Sequence, residues 1–210
     1  KDIPGYFGRA AKASDMTKYD IQIFAEIVDA SALSIEAILA RAEDYVRKGA
    51  NVIDLGGLPD TPFPHLEQAV QALKAKGYKV SVDSADPEEL LRGGKAGADF
   101  LLSLNEDTLA VADQVKSTPV LIPKDHGDLR SLYRAMDALD AKGRAYLADP
   151  VLDPINFGFM QSLERYAQVR RDRPKAELLL GTGNLTELTD ADTTGITAVL
   201  LGIASELHIR

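Results

Sequence analysis

Short runs rich in Val, Ile and Leu alternate with longer segments of helical periodicity from Ile21 onward, and this alternation constrains the fold more than any other feature. The strand candidates are Ile21–Val28, Val52–Leu55, Lys79–Val82, Phe100–Ser103, Pro119–Ile122, Ala145–Ala148, Glu177–Leu180 and a terminal Glu206–Arg210. Between them the pattern predicts helices over Ile35–Lys48, His65–Lys76, Pro87–Lys95, Asp107–Val115, Leu129–Ala141, Met160–Arg170 and Thr194–Ala204. Two junctions read alike: Gly49 before Val52, and Gly97 before Phe100, each a glycine just past a helix end that leads into a buried strand. Strands and helices in strict alternation, with short linkers, imply parallel strands joined by right-handed crossovers. Seven or eight such units in 210 residues fit a compact (β/α)8 barrel of the TIM type better than an open sheet, with the last helix absent from this segment. No Gly-x-Gly-x-x-Gly turn follows the first strand, which removes support for a dinucleotide-binding sheet. The reading is one barrel domain, residues 21–210, preceded by a lead-in of residues 1–20.

Composition narrows the partners. Lys plus Arg number 24 against 32 for Asp plus Glu, giving a net charge of -8. Without clustered Lys and Arg such a chain is poorly suited to nucleic acid or to an anionic membrane surface. Cysteine is absent, which excludes disulfides, thiolate zinc sites and cysteine nucleophiles, and fits a cytoplasmic setting. No apolar run approaches the roughly 20 residues that span a bilayer. The start, Lys1-Asp2-Ile3-Pro4-Gly5, has neither a signal-peptide pattern nor an initiator Met, so a processed chain or a segment of a longer protein is expected.

A barrel of this kind works at the C-terminal ends of its strands. Those ends carry Glu26 and Asp29, Asp54, Asp83, Ser103 with Asn105, Lys124, Asp149 with Asp153, and Asn184. Some of these polar residues cap the following helix; Asp86 before Pro87 reads as such a cap, whereas Asp83 lies within its strand pattern. A ring of carboxylates can hold a divalent metal or accept hydrogen bonds from a planar, donor-rich heterocycle. The metal reading calls for histidines at strand ends. Only His65, His126 and His208 exist, the first two in surface-like contexts, so no metal site made by protein ligands alone is expected. The heterocycle reading suits the residues better: a 2-amino-4-oxopyrimidine edge offers adjacent N–H groups to a carboxylate, and an Asn serves a mixed edge. Two Gly-rich turns complete the rim. One runs from Asp54 to Pro62; the other, Gly181-Thr182-Gly183-Asn184, stands where barrels hold an anion on loop amides.

Several segments together resemble the pterin-binding family, which comprises dihydropteroate synthases and pterin-dependent methyltransferases acting on corrinoid proteins. Gly49-Ala50-Asn51-Val52-Ile53-Asp54-Leu55-Gly56-Gly57 is similar to the family's second strand, and Val80-Ser81-Val82-Asp83-Ser84 to its third, whose Asp contacts the pterin. Gly97-Ala98-Asp99-Phe100-Leu101 resembles the approach to strand four, and Ala148-Asp149-Pro150 the sixth-strand Asp-Pro, whose Asp holds the pyrimidine edge. The departures are specific. Leu102-Ser103 replaces Asn-Asp, with Asn105 slightly later, and the loop Gly181–Glu187 lacks the family's Ser-Arg-Lys. Its Gly-x-x-Asn form is closer to the methyltransferase branch. The first loop, Ala25-Glu26-Ile27-Val28-Asp29-Ala30, together with that later run, resembles synthase-like proteins of methanogens and methylotrophs.

The resemblance implies a synthase that condenses a hydroxymethyl-dihydropterin diphosphate with an arylamine, using Mg2+ carried with the diphosphate, in the biosynthesis of tetrahydromethanopterin or a folate-type cofactor. Asp54, Asp83, Asn105, Asp149 and Asn184 would then bind the pterin, with Asp83, Asp149 and Lys124 as the catalytic candidates and Thr61, Gly181 and Gly183 at the phosphate-bearing rim. Two other functions fit the same residues: a non-catalytic pterin-binding module of a larger protein, and a methyltransferase domain serving a corrinoid partner. The apolar stretch Thr194–Ala204 suggests a homodimer.

Overall fold

Val52–Gly56 is buried at every position, as a strand must be when both faces of its sheet are covered. The structure, a computed structural model, describes residues 21–57, 61–187, 189 and 192–209; the lead-in 1–20 lies outside the described residues. Six strands pair in parallel and in chain order: β1 (Phe24–Ile27), β2 (Val52–Gly56), β3 (Lys79–Asp83), β4 (Phe100–Leu104), β5 (Thr118–Leu121) and β6 (Leu147–Ala148). Each crossover carries a helix. These are α1 (Ile35–Arg47), α2 (Leu66–Ala75), α3 (Pro87–Ala96), a 3-10 helix at Leu109–Gln114, α4 (Leu129–Asp140) and α5 (Phe159–Asp172). A one-turn helix α6 (Gly183–Thr186) and a longer α7 (Thr193–Glu206) follow.

The helices start where their caps dictate. Ser34 and Asp128 accept from the first-turn amides of α1 and α4, and Asp86 accepts from Glu88 N–H ahead of Pro87, as its sequence context predicts. Gly49 and Gly97 take left-handed φ values of 110° and 105° after their helices, which bears out the reading of both junctions. Apolar stripes on the helices, Leu66, Val70 and Leu73 on α2 and Leu132, Met136 and Leu139 on α4, pack fully buried on the strands. None of the helices among the described residues is long and apolar enough to cross a membrane.

Curvature of the sheet shows in one ring contact. Phe24 of β1 and Phe100 of β4 are three strands apart, which in a flat sheet means about 14 Å, yet their ring centroids lie 5.0 Å apart. The sheet therefore curls toward a barrel, although it does not close among the described residues. The seventh strand, expected over Glu177–Leu180, is reduced to a single bridge between Leu178 and Ala148. Its neighbour β6 ends at Ala148, and Pro150 two residues on has no N–H to extend the ladder. The terminal strand expected at Glu206–Arg210 is not formed over the described residues. There α7 ends in a left-handed cap: His208 has φ 53°, Ile209 N–H returns to Ala204 O at 2.9 Å, and the Ile209 side chain is buried. The alternating pattern of Leu207 and Ile209 thus serves a helix cap, and Arg210 lies outside the described residues.

Two consecutive glycines inside α3 break helix propensity for a packing reason. A Cβ on Gly93 would stand 2.8 Å from Val82 Cγ2, and one on Gly94 2.8 Å from Val115 Cγ1. Valine has little rotamer freedom with which to yield. Gly93→Ala should therefore lower stability by about 1–2 kcal/mol even though alanine is the better helix former. A urea midpoint equal to or above that of the parent protein would rule this out.

Candidate functional site

Strand register assembles the first half of the site. Glu26 pairs with Asp54, Asp54 with Ser81, and Gly56 with Asp83, so the acidic residues of three neighbouring strands emerge at one end of the sheet. Carboxylate oxygens of Glu26, Asp54 and Asp83 lie within 4.8 Å of one another. Asp54 is buried and accepts from Ser81 Oγ at 2.6 Å; Asp83 accepts from Ser103 Oγ at the same distance. Ser103 reaches it from a left-handed backbone (φ 67°) where the β4–β5 register shifts, an uncommon conformation for a non-glycine residue. Glu26 folds back over the end of β2, a path open only because residue 56 is glycine: a Cβ there would sit 2.2 Å from Glu26 Oε1.

Three carboxyl groups so close cannot all ionise freely. Burial, and then Asp83, push Asp54 up to about 8. Burial, Asp83 and Glu187 push Glu26 up to about 6. Asp83 is raised by burial, partly offset by the Ser103 hydroxyl. Glu26 and Asp83 line a cleft of about 320 Å3 with Gly57, Ser84, Ser103, Asn105 and Thr108. A larger hollow of about 720 Å3 opens at the opposite face, beside Lys79, Asp99 and Thr118 at the strand starts. Barrel enzymes work at the other face, so the smaller cleft is the candidate site.

The second half is built by the loop after β6. Asp149 is buried and takes two hydrogen bonds on one oxygen, from the Tyr166 hydroxyl of α5 and from Val151 N–H. Val151 holds φ 67°, a strained conformation for a β-branched residue. Burial raises Asp149 to about 6 against the lowering effects of Tyr166 and Val151; Asp83 raises it further, which links the two halves of the ring electrostatically. Arg165 ties the loop down, donating to the carbonyls of Pro150 and Val151 and to Asp153 Oδ2. Asp153 also bonds His126 Nε2 at 2.9 Å. Burial alone would raise Asp153, but the bonds from Arg165 and His126 outweigh it and lower the carboxyl.

The fold has counterparts among solved structures. A dihydropteroate synthase from Xanthomonas albilineans, solved with 4-aminobenzoic acid, superposes with a TM-score of 0.69 over 89% of this chain and 84% of its own, at 20% identity. The synthase of Coxiella burnetii, in complex with pteroic acid, gives 0.65 over 89% and 83% at 15% identity. That of Vibrio fischeri gives 0.62 over 88% and 82% at 18% identity. The chain has the dihydropteroate synthase fold. No protein-family model matches it. Among curated sequences the uncharacterized protein MJ0107 of Methanocaldococcus jannaschii is 28% identical over 211 residues, covering 90% of this chain. The chain spans about two fifths, 40%, of that relative's length.

Set within the dihydropteroate synthase fold, the residues singled out in the sequence take different places. Asp54, Asp83 and Asp149 stand buried or nearly so at strand ends around one mouth. Asn105 lines the cleft, but its Oδ1 is engaged by Asp107 N–H in a local turn, leaving its amide nitrogen for a ligand. Asn184, on α6, donates to Leu152 O at 2.9 Å and so braces the Asp149 loop. Lys124 sits apart, in an exposed ion pair with Asp107, and is not among the residues lining the cleft. Asp29 pairs with Arg41 away from the cluster. Gly181 and Gly183 flank the start of α6, and Thr61 is exposed on the loop after β2. His65, expected at the surface, is tucked in, its Nε2 bonded to Leu33 O and its ring against Phe63.

Three contributors were not assigned a role from sequence: Tyr166, Glu187 and Glu89. Glu89 of α3 is buried, accepting from Phe63 N–H and from Ser84 Oγ, and so fastens the loops after β2 and β3 together. Only Tyr166 carried a legible signal, because a tyrosine in a core stripe needs a partner for its hydroxyl.

Proposed function

We propose that the chain binds a pterin and acts as a dihydropteroate-synthase-like transferase, condensing a hydroxymethyl-dihydropterin diphosphate with an arylamine in the synthesis of a methanopterin- or folate-type carrier. The observation that carries the reading is the pair of carboxylates, half-buried Asp83 and buried Asp149, each anchored through a hydroxyl donor at the same barrel mouth. Such groups match the adjacent N–H donors of a 2-amino-4-oxopyrimidine edge, and they reject ligands without it because they are already desolvated. The chemistry asks mainly for positioning and for stabilisation of departing diphosphate. Mg2+ carried with the diphosphate supplies that charge when bound, and the carboxylate of Glu26 at the cleft is the hard oxygen donor suited to it.

One feature favours a second reading, a binding module without turnover. The loop Gly181–Glu187 carries no Arg or Lys, and Lys124 is committed to Asp107. The two separate experimentally. Calorimetric titration with a hydroxymethylpterin is expected to show binding; pyrophosphate release from the diphosphate with Mg2+ and an arylamine then identifies the synthase. Binding with no release under any amine leaves the module, and no binding by folded protein removes the pterin altogether.

A further inference from the structure

Both hydrogen bonds to Asp149, from the Tyr166 hydroxyl and from Val151 N–H, end on Oδ1, and among the described residues none reaches Oδ2. Tyr166 is itself fully buried on α5, so its hydroxyl has no solvent alternative to this bond. We propose that Tyr166 is the positioning residue of the ligand site: it saturates Oδ1 of Asp149, keeps the carboxyl ionised in a desolvated setting, and leaves Oδ2 as the oxygen that receives the ligand's N–H. The inference rests on the pterin reading for the ligand, but the Tyr166–Asp149 coupling itself does not.

A buried carboxylate without donors reverts to its neutral form, which offers a ligand O–H where an acceptor is required. A donor that cannot rotate away to water opposes this and fixes the plane of the carboxyl group as well. The groups facing Asp149 from the surrounding elements are Asp83 of β3, which favours protonation, and Arg165 and Tyr166 of α5, which oppose it. Arg165 is shared with Asp153, which in turn holds His126, so its help is divided. The Tyr166 hydroxyl gives its one proton to Asp149 while its oxygen accepts from Gly181 N–H, and its own titration is driven well above the ordinary phenol range by burial and by Asp149, so it remains a donor throughout.

The test is Tyr166→Phe, which removes one oxygen and keeps the ring. Carbon-13 NMR of the aspartate carboxyls in the ligand-free protein, with Asp149 assigned by its loss in Asp149→Asn, should show the Asp149 midpoint rising by about one pH unit. Affinity for a hydroxymethylpterin should fall about tenfold at pH 5 and return close to the parent value at pH 8.5. In the parent protein the Tyr166 hydroxyl proton should give a downfield resonance that moves as Asp149 titrates, a check that needs no variant. An unmoved carboxyl midpoint, or an affinity loss equal at both pH values, overturns the proposal and leaves Tyr166 a packing residue. A shifted midpoint in a protein that binds no pterin upholds the coupling and discards the ligand reading instead.

Discussion

Asp149→Asn is expected to weaken hydroxymethylpterin binding roughly 100- to 1000-fold while the protein stays folded. The asymmetry of the hydrogen bonds explains why so small a change should cost so much. The Tyr166 hydroxyl and Val151 N–H both address Oδ1, so an asparagine there keeps its carbonyl toward them and turns its NH2 toward the ligand. A donor then meets a donor at a buried position. The parent protein should show a related pH effect. Asp149 is raised to about 6, so affinity should decline as pH falls through that value, as the acceptor becomes a hydroxyl. Calorimetry at pH 5, 6 and 7.5 on both proteins decides the matter; an asparagine variant within a fewfold of the parent would mean that Asp149 does not touch the ligand.

Asp54→Asn should act in the opposite direction, on stability. Burial, with Asp83 beside it, raises Asp54 to about 8, against the smaller opposing effect of the Ser81 hydroxyl. Between about pH 4, where an unfolded aspartate releases its proton, and pH 8, the folded state holds a proton that the unfolded state has lost. Stability contributed by this group is therefore complete below the unfolded pKa and drains away as pH rises through the window. Asparagine still offers an oxygen to Ser81 Oγ but cannot ionise, so it removes the slope. Measured by urea unfolding in EDTA, the advantage of the variant should grow by roughly 3–4 kcal/mol between pH 5 and pH 8. A gap that is the same at both pH values would show that Asp54 is ionised in the folded protein like any surface carboxylate.

The parallel barrel-type architecture was legible in the sequence because each link of the argument is local. Alternating periods, left-handed glycines after helices and caps such as Asp86 are set by neighbours within a few residues. Strand-end carboxylates were legible for the same reason: once a strand is placed, its last residues are known. The two misreadings at the C-terminal end came from patterns with more than one physical use. Alternation at Leu207 and Ile209 served a helix cap, and the β-rich run at Glu177–Leu180 had only a two-residue neighbour to pair with. The ion pair of Lys124 was not legible, because strand position says where a side chain begins and nothing about the nearby Asp107 that takes it. The partners of Tyr166 and Glu89 were out of reach for the converse reason. The two side chains act from the outer helices across 17 and 26 residues of chain, on Asp149 and on Phe63, and such distances appear only when helix and strand are packed together.

Glu89 has a consequence for how a molecule gets in and out. One of its oxygens holds the backbone at Phe63 and the other holds Ser84, while Arg92 on the next turn of the same helix grips the carbonyls of Phe63 and Pro64. Two connections on one rim are thereby riveted to a single rod and cannot swing independently. The opposite side of the mouth is braced in another way: Arg165 holds the carbonyls of Pro150 and Val151 together with Asp153, and Asn184 adds one amide to Leu152 O. A ligand must therefore pass between two braced rims, and loosening either brace should speed its exchange.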